Sequence, residues 1–102
     1  MSKEKRDSER IAVNEPGMLA WQDEQGNTLA ERIVMLNVSN YGAMVEANHN
    51  HPIRLSVQLK VPTRKIDSSA TVRYCRQIGG KYRIGLQLSQ STASKPKQGR
   101  WT

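Results

Sequence analysis

Hydrophobic residues recur at every second position along much of this chain. Leu55, Val57, Leu59 and Val61 alternate with Arg54, Ser56, Gln58 and Lys60, and Tyr82, Ile84, Leu86 and Leu88 alternate with Arg83, Gly85 and Gln87. A period of two puts one set of side chains on each face of an extended strand. The same pattern sets Ala70, Val72 and Tyr74 against Thr71, Arg73 and Cys75 inside a strand expected over residues 66–78. Residues 28–38 and 42–47 predict two more strands, with Ala43, Val45 and Ala47 on one face of the second. The first strand spans residues 11–21, where Pro16-Gly17 interrupts Ile11, Val13, Met18, Leu19 and Trp21 and predicts a bulge or bend. Residues 23–27 read as a hairpin loop and Gly79-Gly80 as a tight turn. No stretch carries a convincing helical period.

About six short strands separated by turn signals in 102 residues predict an all-β fold, a small six-stranded antiparallel barrel over residues 11–88. Closure is expected because an open sheet would leave two unpaired edges. A chain of this length makes one domain with a small core, so a ligand binds on its outside or between elements. Residues 1–10 are nearly all polar and predict a flexible arm; residues 89–102, rich in Ser, Gln, Thr, Lys and Pro, predict a loose C-terminal tail in which Trp101 is the exception.

Charge narrows the partners. Sixteen Lys and Arg against nine Asp and Glu give a net charge of +7, a field that favours nucleic acid, nucleotides or anionic lipid. The single cysteine, Cys75, excludes an intramolecular disulfide and a cysteine-based metal site. His49 and His51 alternate in the loop 48–52, but without a third ligand nearby the loop reads as solvated and no metal site is expected. The charged N-terminal stretch is followed by no apolar run, and no segment approaches the roughly 18 apolar residues of a membrane span, so a cytoplasmic protein is expected. No nucleophile–base pair or Gly-rich phosphate loop is apparent; a binding module rather than an enzyme is expected, with no cofactor.

Two short stretches carry candidate chemistry. In Asn37-Val38-Ser39-Asn40-Tyr41-Gly42, an amide and a hydroxyl two residues apart share one face of an extended segment. That face suits the edge of a planar polar ligand, although the same residues also make an ordinary polar turn. Upstream, Arg6 and Arg10 lie four apart just before the first strand, with Lys5 beside them. Arginine's planar fork grips phosphate or the O6/N7 edge of guanine bidentately and stacks on bases; the alternative is a solvated charged terminus.

Taken together and in this order, the two stretches resemble the PilZ domain family of bacterial cyclic di-GMP receptors. That family is marked by Arg-x-x-x-Arg and then, some tens of residues on, Asp/Asn-x-Ser-x-x-Gly. Here the first motif is Arg6 and Arg10 and the second Asn37, Ser39 and Gly42, with Asn37 27 positions after Arg10. The resemblance covers roughly residues 5–88 and implies a split six-stranded barrel, matching the strand tally. It also implies that Arg6 and Arg10, with Lys5, hold phosphates and guanine faces. Asn37 and Ser39 would bond a guanine edge, and Gly42 would leave the ligand room. Position 37 is Asn rather than the commoner Asp, and an amide accepts guanine's donors without charge assistance. The family's frequent Gly-x-x-Phe is Gly85-Leu86-Gln87-Leu88 here, with Leu88 able to fill the apolar role. The implied function is a cyclic di-GMP-binding receptor that orders its arm on the ligand and signals to an effector protein. Two alternatives stand beside it: a PilZ-like interaction module without ligand, and a basic barrel binding single-stranded nucleic acid through Arg73, Arg76, Lys81 and Arg83 with Tyr74 and Tyr82. The alternation places both tyrosines in the core, which argues against the nucleic-acid reading.

Overall fold

A computed structural model describes residues 10–92; Lys5, Arg6 and Trp101 lie outside them. Six strands follow one another: β1 (Ile11–Gln22), β2 (Thr28–Val38), β3 (Gly42–Ala47), β4 (Ser56–Val61), β5 (Ile66–Ile78) and β6 (Lys81–Leu88). They close into an antiparallel barrel in the order β1-β2-β3-β6-β5-β4. The only helical element among the described residues is one 3₁₀ turn, Pro62–Arg64, which Lys65 closes in the left-handed region by donating its N–H to Pro62 O.

Inward-facing residues fill the barrel. Leu19, Met35, Val45, Leu59, Val61 and Ile84 are completely buried, and Val57 and Leu86 nearly so. Leu55, expected among them, is only half-buried because β4 begins at Ser56. Arg54 instead takes a left-handed conformation (φ 77°). The strand is replaced there by a loop whose Arg54 N–H donates to Val72 O and whose Leu55 O accepts from Val72 N.

The barrel closes at a short seam. β1 meets β4 over only Met18–Lys60, Leu19–Leu59 and Ala20–Gln58. Gly17 stands where β1 reaches the seam, and a Cβ on it would sit 2.5 Å from Lys60 O. The Pro16-Gly17 irregularity is therefore a site of close backbone approach, with both residues in register with β2; the actual bulge falls between Ala12 and Glu15.

The loop after β3 is not solvated throughout. His51 is 3% exposed and bonds Glu31 through Nε2 at 2.7 Å. Its ring also meets Trp21 edge-on at 4.6 Å. His49 Nδ1 and Asn48 N–H reach the other oxygen of the same carboxylate. Burial raises the Glu31 pKa, but the hydrogen bonds from His51, His49 and Asn48 outweigh it and hold the carboxyl below its ordinary value.

Candidate functional site

Register shifts fall along one circumferential row of the barrel. Ala12 pairs with Asn37, Asn37 with Met44, Met44 with Gly85, and Gly85 with Tyr74. Shifts adjoin this row in β1 (Ala12 to Glu15), β2 (Met35 to Asn37) and β5 (Val72 to Tyr74). Each inserts an extra residue on one strand, so two consecutive side chains escape the alternation. Met35 and Val38 are both core residues, and the two between them, Leu36 and Asn37, are not. Likewise Val72 is in the core and Cys75 packs against it, leaving Arg73 and Tyr74 both outside. Alternation alone puts Tyr74 in the core; the bulge at Arg73 places it on the outer face instead.

Gly85 makes room for it. The Tyr74 ring lies directly on the Gly85 backbone, where a Cβ would fall 2.2 Å from Cε2. Its hydroxyl donates to Met44 Sδ at 3.4 Å, and the Arg76 guanidinium lies 5.6 Å from the ring centroid. One row along, Ser39 N–H donates to Gly42 O at 2.9 Å and closes the turn between β2 and β3. A Cβ on Gly42 would stand 3.1 Å from Ser39 Oγ, so the glycine keeps the hydroxyl uncrowded.

Between these two rows lies a concavity of about 340 Å³, open to solvent, whose lining includes Arg10, Ser39, Gly42, Arg73, Tyr74 and Gln87. Arg10 arrives there because Ile11 pairs with Val38, which sets the residue before β1 beside Ser39. Arg73 donates through Nη1 to Gln87 Oε1 at 2.5 Å. Among the described residues the lining holds two guanidiniums, the Ser39 hydroxyl, the two tyrosines Tyr41 and Tyr74, and no carboxylate. Such a surface suits an anion joined to a flat ring. A larger hollow of about 660 Å³ lies over β1, β4, β5 and β6. Its side chains, among them Ser56, Gln58, Ser69 and Thr71, are all uncharged, so it has no comparable attraction for an anion.

Of the residues singled out from the sequence, Arg10, Ser39 and Gly42 come together in the concavity. Asn37 occupies the adjoining row rather than the lining; its Oδ1 is buried and has no hydrogen-bond partner among the described residues. Lys5 and Arg6 fall outside the described residues. Arg73, Tyr74 and Gln87 belong to neither motif, and sequence reasoning missed them as partners of Arg10 and Ser39. The available signal was Gly85, since a glycine within a strand marks a bulge or something lying close on the backbone. Among the described residues no cluster of three or more His, Cys, Asp or Glu is placed to hold a metal ion. No helix among them is long and apolar enough to cross a membrane.

The model of the PilZ domain family matches residues 4–98. Among solved structures, the PilZ domain of YcgR from Escherichia coli, determined with c-di-GMP, superimposes with a TM-score of 0.55 at 14% identity. The match covers 79% of this chain and 75% of that one. At that identity the likeness is one of fold. No curated protein sequence matches.

Proposed function

The chain belongs to the PilZ domain family, and from that premise we propose that it is a receptor for cyclic di-GMP which passes its signal to an effector protein. The observation that carries this reading is the meeting of Arg10, Ser39 and Gly42, where β1 begins and β2 ends, in one concavity lined by no carboxylate among the described residues and with two tyrosine rings beside them. Arg10, with Arg6 and Lys5 from the segment before it, takes the phosphates and stacks on guanine. Ser39 and Asn37 receive a guanine edge. Asn37 Oδ1 has no hydrogen-bond partner among the described residues, and guanine's N1–H and N2–H₂ are donors suited to it. Tyr74, held flat by Gly85, offers a stacking face.

The signal is an ordering of residues 1–10 rather than a change in the barrel, since a close-packed small core resists deformation. Ligand phosphates draw Arg6 and Arg10 against the Ser39–Gly42 turn, and arm, ligand and barrel then form a new surface for a protein partner.

Calorimetry with cyclic di-GMP, with GMP and a short single-stranded DNA as controls, tests the reading. Binding of cyclic di-GMP is expected, with Arg6→Ala and Arg10→Ala each weakening it by about 2 kcal/mol or more and leaving the melting temperature unchanged. Equal affinity of either variant and the parent would remove the clamp. The outward position of Tyr74 beside Arg73 and Arg76 lends some weight to the nucleic-acid alternative; tighter binding of the DNA than of cyclic di-GMP would favour it.

A further inference from the structure

The outer face of the β5–β6 hairpin carries charge that the fold does not use. From residue 68 to residue 88 the chain holds Arg73, Arg76, Lys81 and Arg83 and no acid, so +4 of its net +7 lies in this one hairpin. Arg76 and Arg83 are register partners, and so are Ile78 and Lys81. Directly opposed residues of an antiparallel pair point to the same face, and the residue two along a strand returns to it. Cys75 packs on the core and its partner Ile84 is buried, so the face that carries Arg76, Arg83, Ile78 and Lys81 is the outer one. Arg76 and Lys81 are exposed, and the apolar Ile78 beside them is 44% exposed.

Like charges set directly opposite one another destabilise a sheet. Elsewhere the barrel opposes unlike ones: Lys60 is the register partner of Asp67, and Arg64 meets Glu15 at 3.4 Å. On the hairpin the relief is slight. Among the described residues Arg76 and Lys81 form no ion pair, and Arg76 has only the Tyr74 ring at 5.6 Å. Arg83 meets Glu46 at a loose 3.7 Å, and its Nε is shielded from solvent with no hydrogen-bond partner among the described residues.

We propose that this strip is a docking site for an acidic stretch of a partner protein. A carboxylate lying across Arg76 and Arg83 accepts from both guanidiniums and turns a repelling pair into a bridged one. Lys81 continues the attraction along the hairpin, and Ile78 adds an apolar contact. A single-stranded nucleic acid would need rings on which to stack its bases. Tyr74 is held flat on Gly85 within the concavity, and Tyr82, the register partner of the buried Ala47, faces the other way from Arg83. The apolar group on the strip is Ile78, which suits a polypeptide. None of Arg76, Ile78, Lys81 and Arg83 lines the concavity, so the inference does not rest on the cyclic di-GMP reading.

Fluorescence anisotropy with the full chain decides it, using a short labelled peptide of glutamate and leucine, its counterpart of glutamine and leucine, and a single-stranded DNA. The acidic peptide is expected to bind and the glutamine peptide not. Arg76→Ala/Arg83→Ala is expected to weaken the acidic peptide roughly tenfold at low salt and Lys81→Ala roughly threefold, differences that shrink in about 0.5 M salt. Arg32→Ala/Lys60→Ala removes the same charge from two other exposed positions and is expected to change affinity less than about twofold. Arg76→Ala alone should leave the melting temperature unchanged or raise it, because a repulsion is removed; a fall would make Arg76 a structural residue and overturn the assignment. Equal weakening by the two double variants would show a general field and no site. Weakening by Arg10→Ala as large as that by Arg76→Ala/Arg83→Ala would place the peptide in the concavity. DNA held more tightly than the peptide, and released by Arg76→Ala/Arg83→Ala, would make the strip a nucleic-acid site. Each of these results, or no binding of the acidic peptide at low salt, overturns the proposal and leaves the receptor reading as it stands.

Discussion

Gly85→Ala tests whether the barrel backbone sets the binding surface. The new Cβ would meet Tyr74 Cε2 at 2.2 Å, Cζ at 2.6 Å and Cδ2 at 2.7 Å. Carbon atoms settle at about 3.5–4.0 Å, so the ring must retreat by more than about 1 Å or swing away altogether. What gives is the far end of a half-exposed side chain, not backbone, so the fold tolerates the change. Alanine also suits a strand interior better than glycine by roughly 0.5–1 kcal/mol, which offsets part of the lost ring contact. Stability should therefore move by no more than about 1 kcal/mol. Affinity should fall further, because a base that stacks on the displaced ring loses about 1–3 kcal/mol. Calorimetry with cyclic di-GMP and a urea titration would measure the two quantities on one preparation. Tyr74→Ala and the double variant complete a cycle: if Gly85 acts only through the ring, alanine at 85 has no further effect once Tyr74 is gone. Unchanged affinity in Gly85→Ala, or fully additive losses in the double variant, would refute the platform.

Leu59→Ala, in a completely buried position, should cost about 2–5 kcal/mol in denaturant unfolding through lost transfer energy and the cavity left behind. Gly17→Ala should destabilise by about 1–3 kcal/mol, since its Cβ meets the Lys60 carbonyl, which is backbone and must move the whole seam; an unchanged urea midpoint would contradict this. Glu31 has a lowered folded pKa, so its contribution is present above the ordinary value of 4.5 and lost as pH falls below it. Urea titrations from about pH 6 to 3 should show that Glu31→Gln loses part of the parent's decline. Asn37→Asp should bind cyclic di-GMP at least as tightly by adding charge assistance, yet melt lower without ligand, because a carboxylate replaces a buried oxygen that has no donor; weaker binding would mean that the amide donates.

The barrel was legible because its inward set is periodic. Val57, Leu59, Ile84 and Leu86 each fall on an apolar beat, and each is buried. Arg10, Ser39 and Gly42 were singled out by the order and spacing of two motifs shared with the PilZ family, and the structure brings the three into one concavity. What was hidden depends on partners far along the chain. His51 reads as a polar loop residue until Glu31, 20 positions earlier, supplies a carboxylate and Trp21 an edge to pack on. Arg54 falls on a polar beat, but the backbone of Val72 holds it in a left-handed loop instead. Tyr74 follows the beat of Ala70 and Val72, and only an inserted residue reverses its direction.

That reversal explains why the site lies where it does. A closed barrel under strict alternation offers its outside only every second residue of a strand, so adjacent residues cannot act on one ligand. After Val72, strict alternation would send Tyr74 inward and Cys75 outward; the bulge reverses both and sets Arg73 and Tyr74 side by side. After Met35, it would drive Asn37 into the apolar core; the bulge at Leu36 leaves it half-buried on the adjoining row instead, although its Oδ1 is still shielded from solvent. A bulge also sharpens the local twist, so irregularities on neighbouring strands are most easily accommodated where they share one row. The row through Ala12, Asn37, Met44, Gly85 and Tyr74 is where three of them adjoin. The bulges thus both bend the strands and turn Asn37, Arg73 and Tyr74 away from the core, and the turn of Ser39 and Gly42 lies just past the bulge, where β2 ends at Val38.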